Sequence, residues 1–303
     1  MNRRDFVRAA TVAPFALRAA AAAASRESPV AFVTCDSEAR LGVVDLHRLR
    51  VVDSVPTLPD PRSIERVGAV ALVCHTAVGA LSIVDRTAVR HVIRGLEEPR
   101  YAAAHPDGVH AFVTDSGRSG VVLVDVVRGR ILERLGLPGW ARHVTISADG
   151  RVVWAALGTA SEHVAVVHTS PLRHAGLLTP GFRAHDVGLA PDGRLWITSG
   201  AERLLARAGA KLTADRAPQH VTFGAGRVFV TSGASGTLHV LAPGGRVLAR
   251  RAVPTGSYNV QFASKWVVTP SLDRGTLTVL DAHGHVLAVL NVAGSCHDAC
   301  VLA

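Results

Sequence analysis

Short β-branched runs recur along the chain at a nearly fixed spacing, each pair divided by a turn of the Asp-Gly kind. The phrase Ala-His-Pro-Asp-Gly, Ala-Phe-Val-Thr, Val-Val-Leu-Val-Asp over 104–125 returns with variations seven times. Its middle member reads AFVT from Ala31, ALVC from Ala71, AFVT from Ala111, VVWA from Val152, LWIT from Leu195, VFVT from Val228 and WVVT from Trp266. The intervals are 40, 40, 41, 43, 33 and 38 residues. Alternation and β-branched enrichment predict strands, and a period near forty with several strands per repeat predicts the blades of a propeller.

Four strands are read in each repeat. In the third, strand A is Arg100 to His105, B is Ala111 to Asp115, C is Val121 to Asp125 and D is Ile131 to Leu135, with Pro106-Asp107-Gly108 as the A–B hairpin turn. Strand C recurs from Leu41, Leu81, Val121, Val164, Leu204, Leu238 and Leu277, and the fifth copy is the degenerate one. The first repeat begins at strand B, while Ser295 to Ala303 has the pattern of a strand A with no B after it. The expected fold is therefore all-β, a seven-bladed β-propeller over 29–303 closed by the C-terminal strand pairing with the N-terminal blade.

The first 28 residues carry a different pattern. Asn2-Arg3-Arg4-Asp5-Phe6-Val7-Arg8 resembles a twin-arginine export motif, followed by an alanine-rich stretch with small residues before Ser25. Residues 1–28 are accordingly expected to be a signal peptide, and the protein to be periplasmic or extracellular. Arg18 interrupts the apolar stretch, so no transmembrane segment is expected after signal removal.

Phe112-Val113-Thr114-Asp115, with Pro106-Asp107-Gly108 before it and Val124-Asp125 after it, resembles the YVTN family of seven-bladed propellers over residues 29–303. Relatives of that group include virginiamycin B lyase-like and lactonase-like propellers, so the resemblance implies a fold and leaves the activity open.

Register then becomes a guide to chemistry. Aligned on the turns that follow them, the A strands put Ser63, Tyr101, His143, Asp186, His220, Asn259 and Asp298 at one height near the ring's entrance. The next row, Ile64, Ala102, Val144, Val187, Val221, Val260 and Ala299, is apolar and should pack between blades, leaving the polar rows on the channel. One residue earlier, Arg62, Arg100, Arg142, His185, Gln219, Tyr258 and His297 should form a rim.

Two uses follow for this funnel. Arg62, Arg100, Tyr101, Arg142, His185, Tyr258 and His297 could bind a small anionic ligand or a protein partner. Alternatively, His143, Asp186, His220, Asn259 and Asp298 could hold one divalent metal ion on the channel axis, with His185, His220 or His297 as general base of a lyase or lactone hydrolase. A water-filled polar channel, its side chains bonded to one another, is the plainer alternative to the metal.

Composition adjusts this picture slightly. The net charge is +9, and Lys211 and Lys265 are the only lysines. The arginines are scattered through turns and strand edges, without a basic helix or an aromatic-interleaved patch, so nucleic acid is not an expected partner and the chain is read as a monomer. No serine-nucleophile elbow, phosphate loop or haem-attachment sequence is present. Cys35 and Cys296 should meet across the ring closure, where a disulfide, a soft-metal site with His75 and His297, and packed free thiols are the alternatives.

Overall fold

The computed structural model describes residues 28–158 and 161–302. The leader expectation falls outside these residues apart from residue 28. Among the described residues no helix is long and apolar enough to cross a membrane.

Seven four-stranded antiparallel sheets form the ring. Blade 3 shows the plan: Pro99–Ala104 innermost, then His110–Asp115, Gly120–Asp125 and Arg130–Gly136 at the periphery. The expected strands of this blade thus sit in place to within a residue. Blade 5, with four residues in each of its strands, is the reduced copy. Closure is as expected, with Ala299–Leu302 pairing antiparallel to Val30–Cys35 as the innermost strand of blade 1 in the register Val33↔Ala299 to Val30↔Leu302.

The Asp that ends strand C makes the C–D turn. In blade 1 Asp45 Oδ1 accepts the backbone N–H groups of His47 and Arg48, and Asp281 Oδ1 accepts those of His283 and His285 in blade 7.

The core consists of seven clusters, one at each blade–blade interface, and the apolar A-strand row contributes to them. Ile64 packs with Phe32 and Cys300 between blades 1 and 2, and Ala299 with Val268 and Val279 between blades 7 and 1. The same row also lines the central cavity, where Ile64, Val144 and Val187 appear beside Glu65 and Thr145. The strict division into a core row and a channel row therefore fails. A blade turns its inner strand edge-on to the axis, so both faces of that strand pack on neighbouring blades and both rows reach the lumen.

The recurrent Thr of strand B ties the ring together around the mouth. Thr34, Thr114 and Thr198 each accept the ring-row N–H of their own blade, from Asp298, Tyr101 and Asp186, at 2.8, 3.2 and 3.1 Å. The same hydroxyls donate to the rim-row carbonyl of the next blade, those of Arg62, Arg142 and Gln219, at 3.3, 2.5 and 2.6 Å. Thr231 repeats the pattern between His220 and Tyr258. A buried hydroxyl satisfied on both sides fixes where each successive rim residue sits.

Candidate functional site at the channel mouth

Three inner strands bulge as they reach the mouth. The register breaks between Pro61 and Ser63, between Pro99 and Ala102, and between Pro218 and Val221. A bulge re-aims the side chain at the extra residue. Arg62 and Arg100 sit at such bulges, so they escape the alternation that would otherwise send them into the interblade core with their parity-mates.

Arg62, Arg100 and Arg142 are half-buried together at the mouth. Burial first, then the charges of Arg62 and Arg142, pulls the Arg100 guanidinium below its usual range. Among the described residues, the carboxylate paired with this group is Glu98, 3.5 Å from Arg100. The Nε atoms of all three arginines are buried without a hydrogen-bond partner. Trp140, which sequence reasoning missed, lies 4.5 Å from Arg100 Cζ and 5.8 Å from Arg142 Cζ by its ring centroid. It stands three residues before His143 in the connection into the inner strand, where the neighbouring repeats carry Asp60, Glu98 and Arg183, outside the aligned strand rows.

His297 and Tyr258 complete the rim. Burial pushes the His297 imidazole down to about 3, with the Arg62 charge the next cause. An imidazole so reluctant to take a proton is a poor general base at neutral pH. Its backbone carbonyl accepts a 2.6 Å hydrogen bond from Asn259 Nδ2.

Beneath the rim, aromatic rings plug the axis. The Tyr101 and His143 rings lie 3.7 Å apart, and His143 and His220 meet edge to face at 4.1 Å. Tyr101, read from the sequence as a ligand-binding residue in the same row as His143 and His220, belongs to this plug and is only 7% exposed. Below the plug opens a cavity of about 280 Å³. The rim residues Arg62, Arg100, Arg142, His185, Tyr258 and His297 do not line it.

The five residues grouped in the sequence as metal ligands divide in two. Asp186 and Asp298 play the same structural part. Each accepts the following residue's N–H with Oδ1 and, with Oδ2, the apolar-row N–H of the next blade. For Asp186 these donors are Val187 at 2.7 Å and Val221 at 3.0 Å. For Asp298 they are Ala299 at 2.8 Å and Ile64 at 3.1 Å. Asp298 is thus engaged elsewhere and does not join His143 and His220 in a ligand cluster, and Asn259 holds the His297 carbonyl with its Nδ2. His185, assigned to the rim, does: His143, His185 and His220 present ring nitrogens within 4.8 Å of one another. Asp186 stands behind, with Oδ1 3.5 Å from His143 Nδ1 and Oδ2 3.7 Å from His220 Nδ1. Burial pushes Asp186 up to about 7 and holds all three imidazoles well below their usual range, hence neutral.

At the closure, Cys35 and Cys296 are buried side by side. A hydrogen bond between the thiols lowers Cys35 and raises Cys296. Burial pushes Cys74 up to about 12 and Cys300 well above its usual value, as suits thiols packed in a core. His75 is turned away from this pair, with Nδ1 3.0 Å from the Pro59 carbonyl.

These features define a seven-bladed β-propeller with an arginine-rimmed mouth and an imidazole plug. No protein-family model matches the chain, and no curated protein does. Solved structures do. Kuenenia stuttgartiensis hydrazine synthase is similar at 18% identity and a TM-score of 0.72, over 84% of this chain and 92% of that one. A functionally unknown protein from Desulfotomaculum acetoxidans gives 11% and 0.78, over 90% and 98%. The dihydro-heme d1 dehydrogenase NirN in complex with DHE gives 12% and 0.64, over 89% and 74%. At these identities the likeness is one of fold, and the YVTN assignment remains a resemblance of repeats.

Proposed function

We propose that this protein is an exported propeller that binds a small anionic ligand, a carboxylate or phosphate compound, at the mouth of its central channel. The observation that carries this reading is the group of Arg62, Arg100 and Arg142, three half-buried guanidinium ions with buried, unpartnered Nε atoms and, among the described residues, one carboxylate, Glu98, paired with Arg100. Gathering like charge in a half-buried place is unfavourable unless an anion offsets it, and guanidinium forks match carboxylate and phosphate oxygens. The Trp140 ring beneath Arg100 and Arg142 holds those planes in orientation and adds an apolar wall for the ligand's body. Export by the twin-arginine route is part of the same reading and rests on Arg3 and Arg4.

The test is a thermal-shift screen of small organic acids and phosphate esters on the mature chain. One class of anion should stabilise the protein at low salt, and the Arg100→Gln/Arg142→Gln double variant should lose that shift while still melting cooperatively. A shift of equal size in the double variant would place the anion elsewhere.

A second reading, a metal-dependent lyase or lactone hydrolase, is favoured by the three imidazoles under the mouth. It predicts turnover of a carboxylate-bearing substrate that disappears in His220→Ala, whereas the binding reading predicts ligand capture without product.

A further inference from the structure

The plug contains more unsatisfied imidazole than a packing role explains. His143 is 2% and His185 3% exposed. Yet His143 Nε2 and both ring nitrogens of His185 are buried with no hydrogen-bond partner. A buried nitrogen without a partner costs roughly 1–3 kcal/mol, and three such atoms in one cluster call for an occupant that engages them. The neighbouring groups set the tautomers. Asp186 faces Nδ1 of both His143 and His220, so protonated Nδ1 atoms point at the carboxylate and leave Nε2 lone pairs turned the other way. A carboxylate behind an imidazole in this sense is the arrangement that orients metal-binding histidines.

We propose that His143, His185 and His220 form a three-imidazole site for one divalent transition-metal ion, zinc being the ion its donors fit, with Asp186 as the positioning carboxylate. Neutral nitrogen donors favour zinc over calcium or magnesium, which take oxygen. Three nitrogens around one zinc ion at about 2.1 Å stand roughly 3.3 Å apart, so the observed separations within 4.8 Å close by small side-chain rotations. With three protein ligands, a fourth position stays open. The plug's own architecture makes room for this set. Gly200, at φ +69°, lies where a Cβ would stand 2.5 Å from His185 Cγ and Nδ1, so only glycine there leaves the His185 ring in the cluster.

This inference is independent of the anion reading, since the arginines take no part in it, and its test has its own readout. Mature protein stripped with a chelator would be dialysed against Zn²⁺, and against Co²⁺ as a spectroscopic probe. One equivalent should bind, with a rise in melting temperature and, for Co²⁺, visible absorption bands of low coordination number. His185→Ala should weaken binding at least about 100-fold, and Gly200→Ala should weaken it without deleting any imidazole. Asp186→Asn keeps one acceptor oxygen, enough for one of the Val187 and Val221 N–H groups. It should retain one equivalent but bind about 10–100-fold more weakly and shift the Co²⁺ bands, which loss of a purely structural staple would not do. The trio His105, Asp107 and His110, of which only Asp107 is exposed, also brings ligand atoms together. Failure of the stripped wild type to bind stoichiometrically, binding unchanged in a folded His185→Ala, or binding abolished by His110→Ala instead would each overturn the proposal.

Discussion

Deleting residues 295–303 should unmake the ring. The segment supplies the innermost strand of blade 1, and Cys296, Ala299, Cys300, Val301 and Leu302 are each at most 3% exposed. They divide between two interblade cores, Cys296, Ala299 and Val301 on the blade 7 side and Cys300 and Leu302 on the blade 2 side. Burying a Val or Leu side chain is worth roughly 1.5–3 kcal/mol, and the smaller residues about 1 kcal/mol each, so the strand contributes on the order of 6–9 kcal/mol. A domain's whole stability is about 5–15 kcal/mol. Deletion also opens Val30–Cys35 as an unpaired edge and removes the Asp298 carboxylate that binds the Ile64 N–H. The truncated chain should lack a cooperative melt near the wild-type temperature, and a synthetic peptide of residues 295–303 added in trans should restore one. Leu302→Ala provides a graded version, about 2–5 kcal/mol, read as a fall of roughly 5–15 °C. A truncated protein melting within a few degrees of wild type would refute the closure argument.

Two further outcomes are expected. Glu65 on the channel wall is pushed up to about 8, chiefly by burial and then by the Asp298 carboxylate. A raised carboxylate pKa means the folded state holds a proton the unfolded chain releases, so stability falls as pH climbs from about 4.5 to 8 and is flat beyond. Because Glu65 is partly open to channel water, the effect is on the order of 2 kcal/mol, less than the full shift implies. Glu65→Gln should therefore match wild type at pH 5 and exceed it at pH 8.5 in chemical denaturation, and equal stabilities at both pH values would show that this carboxyl titrates normally. Cys35 and Cys296 should form a disulfide when a thiol oxidant acts on the purified protein, seen as loss of two hydrogen masses and, on reduction, a loss of about 2–4 kcal/mol. Labelling of all four cysteines in unfolded, unreduced protein would contradict this.

The strand runs, their turns and their sevenfold recurrence were legible because strand periodicity and Asp-Gly turns are local properties. Closure followed too, since a ring cannot keep an unpaired inner strand at one end and an unpaired partner at the other. The rim was partly legible: Arg62, Arg100 and Arg142 do gather at the mouth. Trp140 escaped because it lies in the connection ahead of the aligned strand rows, where the residue type changes from blade to blade. Alternation failed where the inner strands bulge, since one extra residue reverses which way every side chain before it points.

By itself, then, the order of residues determined the architecture, because each blade repeats a local pattern and neighbouring blades need only stack. It also marked the row on which the copies differ. The tertiary structure decided what that row does. Asp186 and Asp298, alike in sequence to any metal-binding aspartate, are fixed to the backbone of the next blade, while His185 leaves the rim for the plug because Gly200 makes space for it. Such outcomes turn on angles between side chains from different blades, joined by contacts that the repeat pattern does not encode.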